Sequence, residues 1–349
     1  MLTYSSTDNI EVQFTILTPS PLQRVETNWT TFFDNHGQAH QVEVWCKRDD
    51  LLHGVISGNK WRKLAKPLQD FWHSPPSHVL SFGGPYSNHL HALGYCCKKL
   101  KIKFTAIIRG AYLKERVLNR TLQDLRNWNA NLIFVDKQTY QKRTEKNYLA
   151  KLREEIDADV IIPEGGSQQD ALFGMQAMIA EISLANSGPP FTSILLPVGS
   201  GASMAGVIEN CPPTLAKQII GIGALKAEGY LEDLVTQFLN KDTPYLPWHI
   251  NHDFHFGGYA KSTNELTTFC KQFNQLKLDT PVKSKLDTPL SLELKLDTPV
   301  KSKLDTPLSL EPVYSGKCFF ALKTLIQQGY FAPNSKILII HTGGLQGAR

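Results

Sequence analysis

The sequence predicts an α/β protein whose parallel sheets are covered by helices on both faces. Two observations predict this class. Short apolar, β-branched runs recur along the chain, and amphipathic stretches of helical length lie between many of them. Most of the apolar runs also end in glycine or a turn, the punctuation expected where strands finish. With 349 residues, 42% of them hydrophobic, the chain is long enough for two packed domains or one large one.

Strands are expected over His78–Gly83, Phe104–Gly110, Asn131–Asp136, Asp159–Gly165, Ser193–Gly199, Ile219–Ala224 and Lys336–Gly343. Between them, helices are expected over Asn88–Leu100, Leu113–Trp128, Tyr140–Ile156 and Asp170–Ala185. In such folds the ligand lies at the carboxyl ends of the strands. The glycine-rich turns sit there: Phe82-Gly83-Gly84, Pro163-Glu164-Gly165-Gly166, Gly199-Ser200-Gly201 and His341-Thr342-Gly343-Gly344. They are expected to converge on one crevice.

Charge and cysteine usage exclude several classes. Lys plus Arg is 37 against Asp plus Glu 32, a scattered excess with no long basic run. Nucleic acid and anionic membrane are therefore not expected as partners. No apolar run approaches the roughly 18 residues that span a bilayer, and residues 1–23 carry no signal-peptide pattern. The six cysteines lack both CxxC spacing and a disulfide framework, so free thiols in a cytoplasmic protein are expected.

One segment stands apart. Residues 277–293 recur almost at once as 295–311, and the pentapeptide KLDTP begins at Lys277, Lys285, Lys295 and Lys303. These units are too polar and too rich in proline to stack as a solenoid. A recent tandem duplication forming a mobile loop is expected, with 277–302 as the insertion.

The chemistry begins at Ser57-Gly58-Asn59-Lys60-Trp61-Arg62-Lys63-Leu64. A lone lysine is most often a solvated surface charge. Here a Gly-Asn turn precedes Lys60 and a helix is expected to follow, so desolvation and nearby N–H groups can lower its pKa. A neutral amine is what Schiff-base chemistry needs. Lys63, three residues on, shares the helix face and can meet an anion carried by the ligand of Lys60. Gly199-Ser200-Gly201-Ala202-Ser203 follows an apolar strand and opens a helix, an arrangement that cradles phosphate. Met204 stands where a dinucleotide fingerprint wants a small residue, and no acidic residue follows at the next strand end, so a simple phosphate is the better reading. Ser87 reads first as a helix cap.

In one order, the chain contains Gly-Asn-Lys-x-Arg-Lys-Leu, Gly-Gly-x-x-Ser-Asn-His, Pro-Glu-Gly-Gly-Ser, Gly-Ser-Gly-x-x-x-Ala-Gly, Pro-Val-Tyr-x-Gly-Lys and His-x-Gly-Gly. This set resembles the D-cysteine desulfhydrase and 1-aminocyclopropane-1-carboxylate (ACC) deaminase family of fold type II pyridoxal 5'-phosphate (PLP) enzymes. It covers roughly residues 13–276 and 311–346. The resemblance implies two doubly wound, mostly parallel-sheet domains with PLP in the cleft between them. Residues 1–60 and 172–349 would form the larger, PLP-binding domain and 61–171 the smaller one. It implies that Lys60 carries the cofactor and that Lys63 pairs with its phosphate. The amides of Gly199, Ser200, Gly201, Ala202 and Ser203 would wrap that phosphate, and Asn88 would bond the phenolic oxygen. Ser87 would bind the substrate carboxylate or assist proton movement, with Tyr259 and Tyr314 lining the substrate side. A small amino-acid substrate and a homodimer are expected. The sequence departs from the family at Ala202 and Ser203, where Gly-Thr is usual; both are small, so the loop is expected to survive.

The branches of that family differ beside the pyridine ring. The ACC deaminase pattern has a glutamate after the second tyrosine and a leucine before the final glycine pair. Here Ser315 and Thr342 occupy those positions, as in the desulfhydrase pattern. A carboxylate keeps the ring nitrogen protonated and strengthens the electron sink, whereas a hydroxyl can donate to an unprotonated nitrogen. The expected reaction is therefore α,β-elimination from D-cysteine, with ACC ring opening as the alternative and PLP binding without turnover as a second. His249, His252, Asp253 and His255 crowd together, but the prolines and glycines around them argue against a metal site, and none is expected.

Overall fold

The computed structural model describes residues 10–33, 36–276 and 306–344. Twelve strands occur among them: β1 (Leu22–Val25), β2 (Thr31–Phe33), β3 (Ala39–Gln41), β4 (Glu43–Lys47), β5 (His78–Gly83), β6 (Lys103–Arg109), β7 (Asn131–Val135), β8 (Val160–Ile162), β9 (Ser193–Val198), β10 (Ile219–Gly223), β11 (Trp248–Asn251) and β12 (Lys336–Ile340). They form a six-stranded sheet in the order β1-β4-β12-β9-β10-β11, a four-stranded sheet in the order β7-β6-β5-β8, and a β2-β3 hairpin. Every pairing in the four-stranded sheet is parallel, and in the larger sheet only β1 runs antiparallel to its neighbour. The α/β class read from the sequence is the class of the structure.

Alternation along the strands explains the layers. In the larger sheet Leu195, Ile337 and Ile339 face one side, packing on Phe269, Phe273, Phe319 and Leu322. Their neighbours Ile194, Leu196, Leu338 and Ile340 face the other, against Met175, Met178, Met204 and Val207. A period of two thus supplies two cores from one sheet. The smaller sheet repeats the device. Val79, Ala106 and Ile108 meet Trp61, Leu64, Leu90 and Leu122, while Leu80, Phe82 and Ile107 meet Tyr140 and Leu152.

Two helices expected to be long are interrupted. The stretch 113–128 is helical only from Arg120, because the Asn119 side chain accepts from Leu122 N and caps a new start. The stretch 140–156 divides into Lys137–Gln141, capped by Asp136, and Lys146–Ile156, with Glu145 extended between them. The last expected strand ends at Ile340, which leaves Thr342 and Gly343 beyond it. Among the described residues no helix is long and apolar enough to cross a membrane. All six cysteines are free and buried. The expected mobile loop at 277–302 lies outside the described residues.

Candidate active site

The site is built around one close approach of backbone to backbone. Helix Asn59–His73 begins at Gly58, whose φ of 66° and ψ of −147° suit only glycine. A Cβ at Gly58 would lie 1.9 Å from Thr342 O, and Asn59 N donates to that same oxygen at 3.1 Å. The start of the lysine helix is thereby fastened to the end of β12. Lys60 follows on the first turn, its Nζ donating to Asn59 Oδ1 at 3.0 Å. Burial lowers its ammonium to about 8, so an appreciable fraction is free amine near neutral pH.

Lys63 is fully buried one turn on. Its Nζ donates to Gly165 O at 3.1 Å, Ser167 Oγ at 3.2 Å and Ser200 Oγ at 3.0 Å. Three segments far apart in sequence meet there: the lysine helix, the Pro163–Ser167 turn and the loop after β9. Burial first, and then the charge of Lys60, push Lys63 well below its ordinary value. Among the described residues neither lysine has an ion-pair partner. A half-buried amine beside a fully buried one, with no carboxylate between them, is the electrostatic complement of an anion.

The loop Gly199-Ser200-Gly201 supplies the rest of that complement. Gly201 has φ of 76°, and a Cβ there would lie 2.3 Å from Leu234 O. Helix Ala202–Asn210 then begins, with its N-terminal amides opening toward the loop. Ser203 Oγ accepts from Asn59 Nδ2 at 3.3 Å, joining this helix start to that of the lysine helix. Ala202 and Ser203, where the family pattern has Gly-Thr, leave the loop formed.

On the other side, Ser87 caps helix Asn88–Leu100 by accepting from Leu90 N at 3.2 Å. The structural reading of Ser87 therefore holds. Asn88 opens that helix, and its Nδ2 lies 3.4 Å from where a Cβ on Gly344 would stand. The Tyr314 ring lies against Gly199, 3.1 Å from a Cβ built there, and meets the Tyr259 ring edge-on at 6.1 Å. Burial, then Tyr259, raises the Tyr314 hydroxyl well above its ordinary value, so it stays protonated. Thr342 is buried just after β12. These contacts bring together the start of the lysine helix, the loop after β9, the end of β12, Asn88 and Tyr314, with Tyr259 exposed beside Tyr314.

Two further buried residues adjoin these groups. The Pro-Val-Tyr motif gives no reason to single out the residue before it, yet Glu311 is fully buried beside Ser315. Its carboxylate accepts from Val313 N, Tyr314 N and Ser315 N, capping helix Ser315–Gln327. Ser315 Oγ accepts from Glu311 N at 3.0 Å and lies 3.3 Å from Glu311 Oε1. Burial raises the Glu311 carboxyl despite those amides. His89 is the second. Ser81 Oγ donates its proton to Ile162 O, so His89 Nε2 must donate to Ser81 at 2.9 Å. That leaves Nδ1 as a buried acceptor with no partner among the described residues. The histidines after β11 behave otherwise: His252 pairs with Glu232 at 2.7 Å, and His255 Nδ1 accepts from Gly257 N.

Residues 23–246 match the family model of pyridoxal-phosphate dependent enzymes. The bifunctional mitochondrial D-cysteine desulfhydrase/ACC deaminase of Arabidopsis thaliana is 26% identical over 331 residues, spanning 89% of this chain and 74% of that one. The D-cysteine desulfhydrase of Yersinia pestis is 25% identical over 313 residues, 86% of each chain. A crystal structure of an ACC deaminase homologue superposes with a TM-score of 0.62 at 25% identity, covering 96% of this chain and 95% of that one. The lysine pair and glycine loop fit the aldehyde and phosphate of such a cofactor, and with these matches they place the chain in the family of pyridoxal-phosphate dependent enzymes.

Proposed function

We propose that this protein is a lyase that removes the β-substituent of a small D-amino acid, with D-cysteine as the substrate that fits best. The balanced reaction takes D-cysteine and water to pyruvate, hydrogen sulfide and ammonia. When bound, PLP supplies an aldehyde for amines and an electron sink for negative charge at Cα. The chain's own residues do the rest. Lys60 Nζ would hold the cofactor through its aldehyde and, as a free amine, would accept the proton from the substrate Cα. Its lowered pKa keeps it competent as a base near neutral pH. Lys63 and the amides of Gly199 to Ser203 hold the phosphate, and Asn88 takes the phenolic oxygen. Ser87 meets the substrate carboxylate, while Tyr314 and Tyr259 border the substrate. Thr342 offers its hydroxyl to the ring nitrogen. The reading includes a homodimer in the cytoplasm.

The observation that carries this reading is the uncompensated pair of Lys60 and the fully buried Lys63, whose Nζ reaches the Ser200 loop. The preference for elimination rests on Ser315 and Thr342, which put hydroxyls where a carboxylate and an apolar group favour ring opening. One observation favours the second reading, ACC deamination: the Glu311 carboxylate lies one hydrogen-bond length behind Ser315. Direct assay separates them. D-cysteine and β-chloro-D-alanine should release pyruvate much faster than ACC releases 2-oxobutanoate. Ready opening of ACC with no action on D-cysteine would overturn the elimination reading, and activity on L-amino acids alone would overturn the stereochemistry.

A further inference from the structure

Lys317 lies on the first turn of helix Ser315–Gln327 and is fully buried. Two features make the position unfavourable for a lysine. The amino end of a helix repels cations, and among the described residues Lys317 has no ion-pair partner; Glu311 attracts it only from beyond hydrogen-bond reach. Its ammonium instead donates to three backbone carbonyls, Ala224 O at 3.1 Å, His255 O at 2.8 Å and Gly258 O at 2.8 Å. Three protons meet three acceptors.

Those carbonyls come from two places. Ala224 follows β10 directly, while His255 and Gly258 belong to the turn between β11 and Tyr259. Within that turn Phe256 has φ of 51°, Gly257 92° and Gly258 122°, and Ala260 follows at 53°. Phe and Ala rarely adopt such values. The turn is held in a form that aims its carbonyls at one point, and the ammonium occupies that point.

A buried positive charge ringed by backbone carbonyls is also how proteins hold a desolvated monovalent cation. We propose that Lys317 is a tethered substitute for such a cation: its ammonium fills a carbonyl-lined site with the chemistry to take potassium or ammonium, and so fixes the turn that sets Tyr259 against Tyr314. Lys317 is thus a positioning residue. The inference rests on the proposed function only for what Tyr259 does; the cation site rests on the three carbonyls.

The test uses Lys317→Ala holoenzyme in potassium, ammonium or choline chloride at equal ionic strength. The variant should melt several degrees higher in potassium or ammonium than in choline, because an ion bound only by the folded state stabilises it. The wild type should not distinguish the salts. Turnover of D-cysteine by the variant should fall roughly tenfold or more in choline, as misplaced substrate-side groups cause, and recover in potassium. Lys317→Gln, whose amide fills the space and donates to the carbonyls, should respond to none of the salts. The proposal is overturned if Lys317→Ala behaves alike in all three salts, folds in none, or is matched by Lys317→Gln. A cation-dependent melting temperature without any D-cysteine turnover, in wild type or variant, would instead sink the substrate assignment and leave the cation site standing.

Discussion

Replacing Arg62 with methionine keeps most of the side chain's length and removes its charge. Arg62 lies two residues after Lys60, and its guanidinium grips two carboxylates at once. Nε and Nη2 donate to Asp49 at 2.9 Å each, and Nη1 and Nη2 donate to Glu181 at 2.7 and 2.8 Å. The three side chains are 2%, 1% and 13% exposed, so none has water to fall back on. Breaking a buried pair by removing one partner costs about 3–5 kcal/mol. Lys47 remains on Glu181 at 2.5 Å, which leaves Asp49 as the main loser. The pH dependence then identifies the cause. Burial alone pushes the Asp49 carboxyl up, and the Arg62 charge leads the effects that bring it below the usual range. Without Arg62 its folded pKa rises above the unfolded one, so the folded state binds the extra proton and the penalty fades as pH falls. Urea unfolding of the apoprotein should show a loss of about 3–5 kcal/mol at pH 7.5 and a smaller one at pH 5. A loss below about 1 kcal/mol, the range of exposed pairs, or one that does not change with pH, would refute this account.

Gly58→Ala should cost about 1–3 kcal/mol from its backbone conformation, and more from the 1.9 Å approach to Thr342 O. It should also weaken cofactor retention, since Lys60 would shift; wild-type stability and wild-type PLP affinity together would contradict the pinned-turn argument. Capture of PLP by the apoprotein should accelerate about tenfold per pH unit up to about 8, where Lys60 becomes free amine, and then level off. A rate still climbing toward the ordinary lysine value would show that Lys60 is not desolvated.

How much of this was legible in the sequence differs by element. Strands β5, β6, β9, β10 and β12 announce themselves because they are buried on both faces and read as continuous apolar runs; β7 and β8 are only partly buried but still read as apolar runs. The lysine turn and the glycine loop after β9 were legible as turns because glycine marks positions other residues cannot adopt. Strand β1 was not, since Leu22-Gln23-Arg24-Val25 is short, polar and defined by its antiparallel pairing with β4. The hairpin β2-β3 and edge strand β11 share that weakness. Asn119 was overlooked as a helix cap because it sits inside an amphipathic stretch that reads as continuous, and Asp136 because it closes the apolar run of β7. Glu311 was hidden, and so were the surroundings of Lys317, on which the Pro-Val-Tyr-x-Gly-Lys motif ends: a buried charge is understood only by what surrounds it, and Ala224, His255 and Gly258 come from other parts of the chain.

The bond from Asn59 N to Thr342 O also bears on how the protein is made. A ribosome delivers Gly58, Lys60 and Lys63 first and the glycine loop after β9 later, and the strand end that pins the lysine helix comes last of these. Until β12 slots between β4 and β9 the helix start has nothing to rest on, and those two strands have no shared neighbour. A nascent chain therefore holds every amine the cofactor needs without holding them in place. Uptake of the vitamin-derived cofactor should therefore wait for β12, and chains truncated before Lys336 should emerge colourless and be left to the cell's proteases.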